Sequence, residues 1–410
     1  MLVHHYKRFL GFALMGLFFS IFCLLPGPSW GEKKTVKLGF VADITGPGFL
    51  IALSQKNALE LGLEEINSSG GLLGRRVELI IRDSQMKPDW AARQTQELIL
   101  RDKVDFVVGP TSPSVAQAVS NICKEQKKLL CLHSANNERL INELGHRYVF
   151  SVIPNTFMEG QALAAFLAKR GFKKILIIGP DLEYGRSQAG AFKKKIAEIN
   201  PAATIIKELW PRIGEPDYTP YIATILAAKP DMVCSFLWGG DLAGFMRQAG
   251  PHQFFQKTPF IGLFDYDLLK GLGSEMVPGL YGYDRAPFYA LNNPQAKSFV
   301  ERYKTRTGEY PSAWSILAYD GLMALRKAVD KAKTLETEKV IEALEGLNWD
   351  SLRGALQLRA QDHLASGGLF FGTTYKDPKY SFYTMREMVY LPGNDLWHSL
   401  EEIKLLRKSP

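Results

Sequence analysis

The sequence predicts an α/β protein built as two doubly wound, three-layer α/β/α lobes joined by extended strands, and three observations carry this reading. Short apolar runs of four to six residues alternate with longer helical stretches, as βαβ units around a parallel sheet require. The alternation runs through twice, restarting near residue 150, and right-handed crossovers within each set build a doubly wound layer. Extended segments lie at the junctions: 148–154, ending in Pro154, and 279–283 are both suited to carry the chain across.

Along the chain, 36–41 reads as a buried strand, followed by a Gly/Pro loop and a helix over about 52–66. The stretch Asn67-Ser68-Ser69-Gly70-Gly71 stops that helix, because glycine supplies the backbone freedom that a helix end needs. Strands at 77–81, 106–108 and 129–132 then alternate with helices at 90–100 and 115–125. The second set takes helices at 157–170, 186–198, 218–228 and 240–249, with strands at 175–178, 204–209, 232–236 and 259–262. Helices at 294–307, 312–332 and 337–345 follow, and the tail from 356 to 391 reads as β-rich.

A separate signal sits at the start. His4 to Arg8 form a short basic head, Phe9 to Leu25 are almost wholly apolar, and Ser29 and Gly31 occupy the −3 and −1 positions of a cleavage before Glu32. That order marks residues 1–31 as a secretory signal peptide and the protein as periplasmic. A retained membrane anchor is the alternative, since about 17 apolar residues is the short end of what spans a bilayer. Cys23 is a poor lipidation site, with Phe22 before it and apolar residues after it.

Removing the leader leaves 379 residues, enough for two cores, and lowers the formal charge from +8 to +6 as Lys7 and Arg8 depart. The charge is spread out. The longest basic run, Lys193-Lys194-Lys195, falls on an expected helix and reads as a solvated face, so nucleic acid is not an expected partner. Cys123, Cys131 and Cys234 remain, without metal-type spacing; Cys123 and Cys131 either pair or stay as buried thiols. Neither GxSxG, HExxH, Walker A nor a complete GxGxxG occurs, and the five histidines beyond the leader show no ligand spacing. An enzyme is not expected, and neither a cofactor nor a metal is called for. Of the histidines, His363 reads as structural, while His133 sits beside a candidate ligand loop.

In open α/β sheets ligands bind beyond the carboxyl ends of the strands. Those loops bring hydroxyls and amides from the first set, at Thr111, Ser112, Ser114, Ser134, Asn136 and Asn137, with Asp43 and Thr45. The second set brings Tyr184, Trp238 and Asp265. Polar clamps on one wall and apolar plates on the other suit an organic carboxylate, and helix starts after 113 and 135 add N–H groups for its anion. Ser134, Asn136 and Asp265 could equally be helix caps.

These residues carry a family resemblance. Lys37-Leu38-Gly39-Phe40, Thr45-Gly46-Pro47, Glu65-Ile66-Asn67 with Gly70-Gly71-Leu72-Leu73-Gly74, Val107-Val108-Gly109-Pro110, Tyr184-Gly185, Arg247-Gln248-Ala249-Gly250 and Arg359-Ala360-Gln361-Asp362-His363 stand in family order from about 36 to 390. The chain resembles the type I periplasmic binding proteins of the branched-chain amino acid (leucine/isoleucine/valine) transport family. The resemblance implies a Venus-flytrap pair of lobes on three hinge strands, the third near 350–357. Lobe bounds are then 32–152 with 284–355, and 153–283 with 356–410.

It also implies a site with departures. Where the family places a small hydroxyl residue against the ligand carboxylate, Pro113 stands here, leaving Ser112, Ser114 or backbone to serve. Ser134 and Asn136 take the places of the family's Ala-x-Thr, and Ile51 that of a tyrosine. Tyr184 and Trp238 match the two aromatic positions, and the acid that grips an α-amino group falls at Phe264 or Asp265. The expected ligand is a hydrophobic or aromatic carboxylate or amide, with a branched-chain amino acid as rival. The implied role is solute binding for an inner-membrane ABC permease and ATPase, as a monomer. A ligand-sensing periplasmic receptor for an amide or amino acid is the alternative.

Overall fold

A computed structural model describes residues 35–46 and 48–408; the expected leader lies outside the described residues. The first βα set supplies β1 (Val36–Ala42), β2 (Val77–Asp83), β3 (Phe106–Val108), β4 (Leu130–Leu132) and β5 (Val149–Ser151). The second supplies β6 (Lys174–Ile178), β7 (Thr204–Leu209), β8 (Met232–Ser235), β9 (Phe260–Leu263) and β10 (Tyr281–Asp284). Later come β11 (Asn348–Ser351), β12 (Gly354–Gln357), β13 (Leu369–Tyr375) and β14 (Thr384–Leu391).

Two main sheets result. One is parallel throughout, in the order β2-β1-β3-β4-β5. The other runs β14-β13-β10-β9-β8-β6-β7, parallel from β7 to β10 and antiparallel at β13 and β14. Central strands such as β8 and β9 are buried along their whole length, as expected where helices cover both faces. The edge strand β7 instead exposes Thr204, Ile206 and Lys207, and charge on an edge discourages pairing with another chain. The first helix, Phe49–Ser68, ends where expected. Gly71 has φ +75°, its amide bonds the Ile66 carbonyl at 2.8 Å, and a Cβ there would lie 2.0 Å from the Arg75 carbonyl oxygen, so only glycine fits.

One expectation needs correction, and two helices add to the reading. The residues expected as the third crossing fold back as the β11–β12 hairpin. The extended stretch at the crossings lies further on, where Leu364 bridges Ser151 of β5 before the chain enters β13. A hairpin satisfies its own backbone groups, which frees the following residues to cross. Two helices fall where no element was expected: Tyr266–Leu272, and Leu400–Leu406, which closes the described chain with a Ser399/Glu402 capping box.

The crossing region is fastened by buried polar groups. Arg353 and Asp320, both fully buried, pair at 2.8 Å, and Arg353 Nη2 donates to the Val152 carbonyl just past β5. His363, expected to be structural, stacks on Phe150 at 3.9 Å between ring centroids, with Nδ1 3.1 Å from the Val149 carbonyl.

Cys123, Cys131 and Cys234 are buried free thiols, which decides between the two readings of the first pair. Burial raises all three thiol pKa values, that of Cys131 to about 12, so little thiolate forms at neutral pH. These three thiols are expected to resist a disulfide-exchange reagent in native protein and to react at once in denaturant; fast native labelling would contradict the packing.

Candidate functional site

The loops at the carboxyl ends of the strands converge on a short line of side chains. From the first set, half-buried Ile51 packs with Trp314, Leu317 and Ile153. Trp314 opens the Ala313–Ala332 helix, which is tied to the Phe49–Ser68 helix through the Ser54 hydroxyl, 2.6 Å from that of Ser312 and 2.5 Å from that of Ser315. The Arg285 guanidinium lies 5.1 Å from the centre of the Trp314 ring, a cation–π distance. Its Nη2 reaches the Tyr184 hydroxyl at 3.4 Å, and the Tyr184 ring meets Trp238 edge-on at 6.4 Å. The line Ile51–Trp314–Arg285–Tyr184–Trp238 thus joins residues of both βα sets.

Sequence reading missed the middle of this line. Arg285 follows β10 directly, and its Nε bonds Glu159 Oε1 at 2.6 Å with both side chains out of solvent. Glu159 also accepts from Asn136 Nδ2 at 3.1 Å and from Gln188 Nε2 at 2.6 Å, as suits a carboxylate. Burial works against the Arg285 cation, but the facing Glu159 more than offsets it and holds the arginine charged. A signal existed: Glu159 is the one charged residue in the mostly apolar helix Thr156–Ala168, and a buried lone charge requires a partner.

The other expected residues fall as follows. Ser112 and Ser114 flank Pro113 at the start of the Pro113–Glu125 helix, their hydroxyls 3.1 Å apart, and neither Ser112 nor another side chain caps it. Ser134 is buried and donates to the Pro110 carbonyl at 3.0 Å; Asn136 commits its amide nitrogen to Glu159. After residue 135 the chain forms only a short 3-10 turn, Glu138–Leu140, rather than a helix start of useful length. Phe264 is fully buried, with its ring against Phe260 and over the bare Cα of Gly282, so its faces are taken by core packing. Asp265 is the N-cap of Tyr266–Leu272, accepting from the Leu268 amide at 2.9 Å. His133 is buried with neither ring nitrogen bonded among the described residues, and burial lowers its pKa to about 3, so it is neutral.

Buried acids crowd this region. Burial, then the charge of Asp265, raises the Asp284 pKa to about 8. An acid whose pKa is higher folded than unfolded (about 4) stabilises the fold below the unfolded value, and that contribution is lost as pH rises through the folded value. Asp284→Asn keeps an acceptor for the Arg285 amide, bonded by Asp284 at 2.6 Å, and removes the titration. Its melting temperature is expected to exceed wild type by a margin that widens from pH 5 to pH 8. A constant or shrinking margin in thermal melts would refute the assignment.

The periplasmic binding protein model matches residues 35–377. The chain belongs to the periplasmic binding protein family. A relative from Pseudomonas aeruginosa, the leucine-, isoleucine-, valine-, threonine-, and alanine-binding protein, is 24% identical over 327 residues, covering 78% of this chain and 85% of its own. Among solved structures, a solute binding protein of an ABC transporter from Rhodopseudomonas palustris, in complex with 3,4-dihydroxy benzoic acid, matches with TM-score 0.78 at 23% identity, covering 87% of this chain and 96% of that one. A closed leucine-, isoleucine-, valine-, threonine-, and alanine-binding protein from Brucella ovis matches with TM-score 0.78 at 22% identity, covering 90% and 97%. The fold is that of the type I periplasmic binding proteins. In this periplasmic binding protein no helix among the described residues is long and apolar enough to cross a membrane, and those residues hold no cluster of three or more metal-ligating side chains.

Proposed function

We propose that this protein is the extracytoplasmic solute-binding component of an ABC transporter, taking a small organic acid or amino acid with an apolar or aromatic body and passing it to a membrane permease and its ATPase. The observation that carries this reading is the aromatic line itself, with Trp314 and Ile51 on one side and Tyr184 and Trp238 on the other. Such residues enclose an apolar body, while Arg285 and the Ser112 and Ser114 hydroxyls supply the few polar groups that orient it. The relatives support the range, one named for branched-chain amino acids and one solved with a hydroxylated benzoic acid.

In this reading the lobes are 32–152 with 284–355 and 153–283 with 356–410, the last boundary moved into 358–368; the sheet membership of the strands supports the division. Residues 1–31 direct export to the periplasm. Ligand favours the closed arrangement because only there does it touch both walls. A thermal-shift screen of apolar amino acids, aromatic acids, short-chain acids and amides finds the ligand, since binding to the folded form alone raises the melting temperature. Scattering at saturation should then show compaction, and an unchanged radius of gyration would sink the closure mechanism.

A further inference from the structure

Arg285 carries more charge than its partners use. It is 1% exposed, Nε is spent on Glu159, and Nη2 makes only a long contact with the Tyr184 hydroxyl. Nη1 has no acceptor among the described residues. A buried guanidinium edge without an acceptor is costly, and planar carboxylates are the groups that match its fork. The Tyr283 hydroxyl, two residues earlier in the chain, is also buried without a partner and lies within electrostatic reach of Tyr184, Glu159 and Arg285.

Three buried acids nearby are committed. Glu159 already accepts from Arg285, Asn136 and Gln188; Asp265 caps a helix; Asp284 accepts from the Arg285 and Ala286 amides. A ligand ammonium arriving beside Arg285 would be desolvated next to a like charge, with Glu159, Asp265 and Asp284 already engaged. The site thus offers a spare donor edge for an anion, while its three buried carboxylates, Glu159, Asp265 and Asp284, already hold donors.

We propose that Arg285 is the anion-anchoring and specificity-determining residue of this site, its Nη1 edge taking the ligand carboxylate beside the Tyr184 hydroxyl, and that the protein therefore selects apolar or aromatic monocarboxylates lacking an α-ammonium group. The proposal rests on the solute-binding reading above and narrows its ligand class. It places the carboxylate at the end of β10, away from the first-set loop where the resemblance puts it and where Pro113 stands.

Matched probes test it. Each acid is compared by calorimetry with its amide and its α-amino counterpart: benzoate with benzamide, 3-phenylpropanoate with its amide and phenylalanine, 4-methylpentanoate with its amide and leucine. In wild type the preferred acid should bind on the order of 100-fold tighter than its amide, and tighter than its amino acid, as expected for a desolvated charge-assisted pair. Arg285→Met alone strands Glu159, so the informative variant is Arg285→Met with Glu159→Gln, which removes both charges together. It should weaken the acid far more than the amide, so that the acid preference collapses. Amides or amino acids that bind wild type as well as the acids do, or a double variant that still prefers the acid, would overturn the proposal while leaving solute binding intact. If no member of the panel binds wild type, the broader ligand class falls as well.

Discussion

Asp320→Ala is expected to destabilise the protein by about 3–5 kcal/mol, the range for breaking a buried ion pair from one side. Asp320 Oδ2 accepts from Arg353 Nε at 2.8 Å, and Oδ1 accepts from the Leu352 amide, also at 2.8 Å. Removing the carboxylate leaves a fully buried guanidinium holding one carbonyl, that of Val152, and leaves the Leu352 N–H without its acceptor. The two losses act where the β11–β12 hairpin is tied to the chain just past β5. Asp320→Asn combined with Arg353→Met removes the charges jointly and should recover most of the loss, because two neutral groups carry far less desolvation penalty. Urea midpoints with unchanged m-values are the measurement; a single-variant loss below about 1 kcal/mol would mean that the pair is better solvated than its burial implies.

Trp238→Ala should weaken ligand binding by about 2 kcal/mol, roughly 30-fold, while altering the ligand-free melting temperature only slightly. Trp238 is half-buried at the start of the Gly239–Ala249 helix, without a side-chain cap bond that the substitution would break. Its edge-on contact with Tyr184 fixes the ring that in turn approaches Arg285, so truncation removes apolar area and loosens the neighbour. Calorimetry on the variant, set beside its melt without ligand, separates the two effects. Unchanged affinity would move the site elsewhere.

Much of this architecture was legible because parallel strands covered on both faces leave continuous apolar runs. Residues 38–42, 175–178 and 232–234 are of that kind. Tyr184 and Trp238 stand out in the sequence as aromatics in the loops after strands and at positions the resemblance implies, and the structure sets their rings edge-on at 6.4 Å. Long-range pairing left no such trace. Arg285 and Glu159 are 126 residues apart, and only the isolation of the glutamate in an apolar helix hinted at a partner. The Tyr266–Leu272 helix was hidden because Asp265 has two plausible uses, and its role as cap is visible only once the Leu268 amide is placed against it. The hairpin at Asn348–Gln357 went unseen for a similar reason: its pairing depends on Gly354 at φ +104°, a turn property shared by many loop glycines.

The bridge between Ser151 and Leu364 has a mechanical consequence. The Ser151 amide donates to the His363 carbonyl and the Ala365 amide donates back to Ser151, at 2.9 and 2.8 Å, so the two segments are laced together. Laced strands cannot swing separately; a rotation that bends one must bend the other. Any opening of the molecule about this point therefore draws on a small set of shared torsions, and little chain entropy remains to be lost on closing. A pairing already in place before ligand arrives leaves that much less chain to order on binding, so more of a ligand's contact energy can go to affinity.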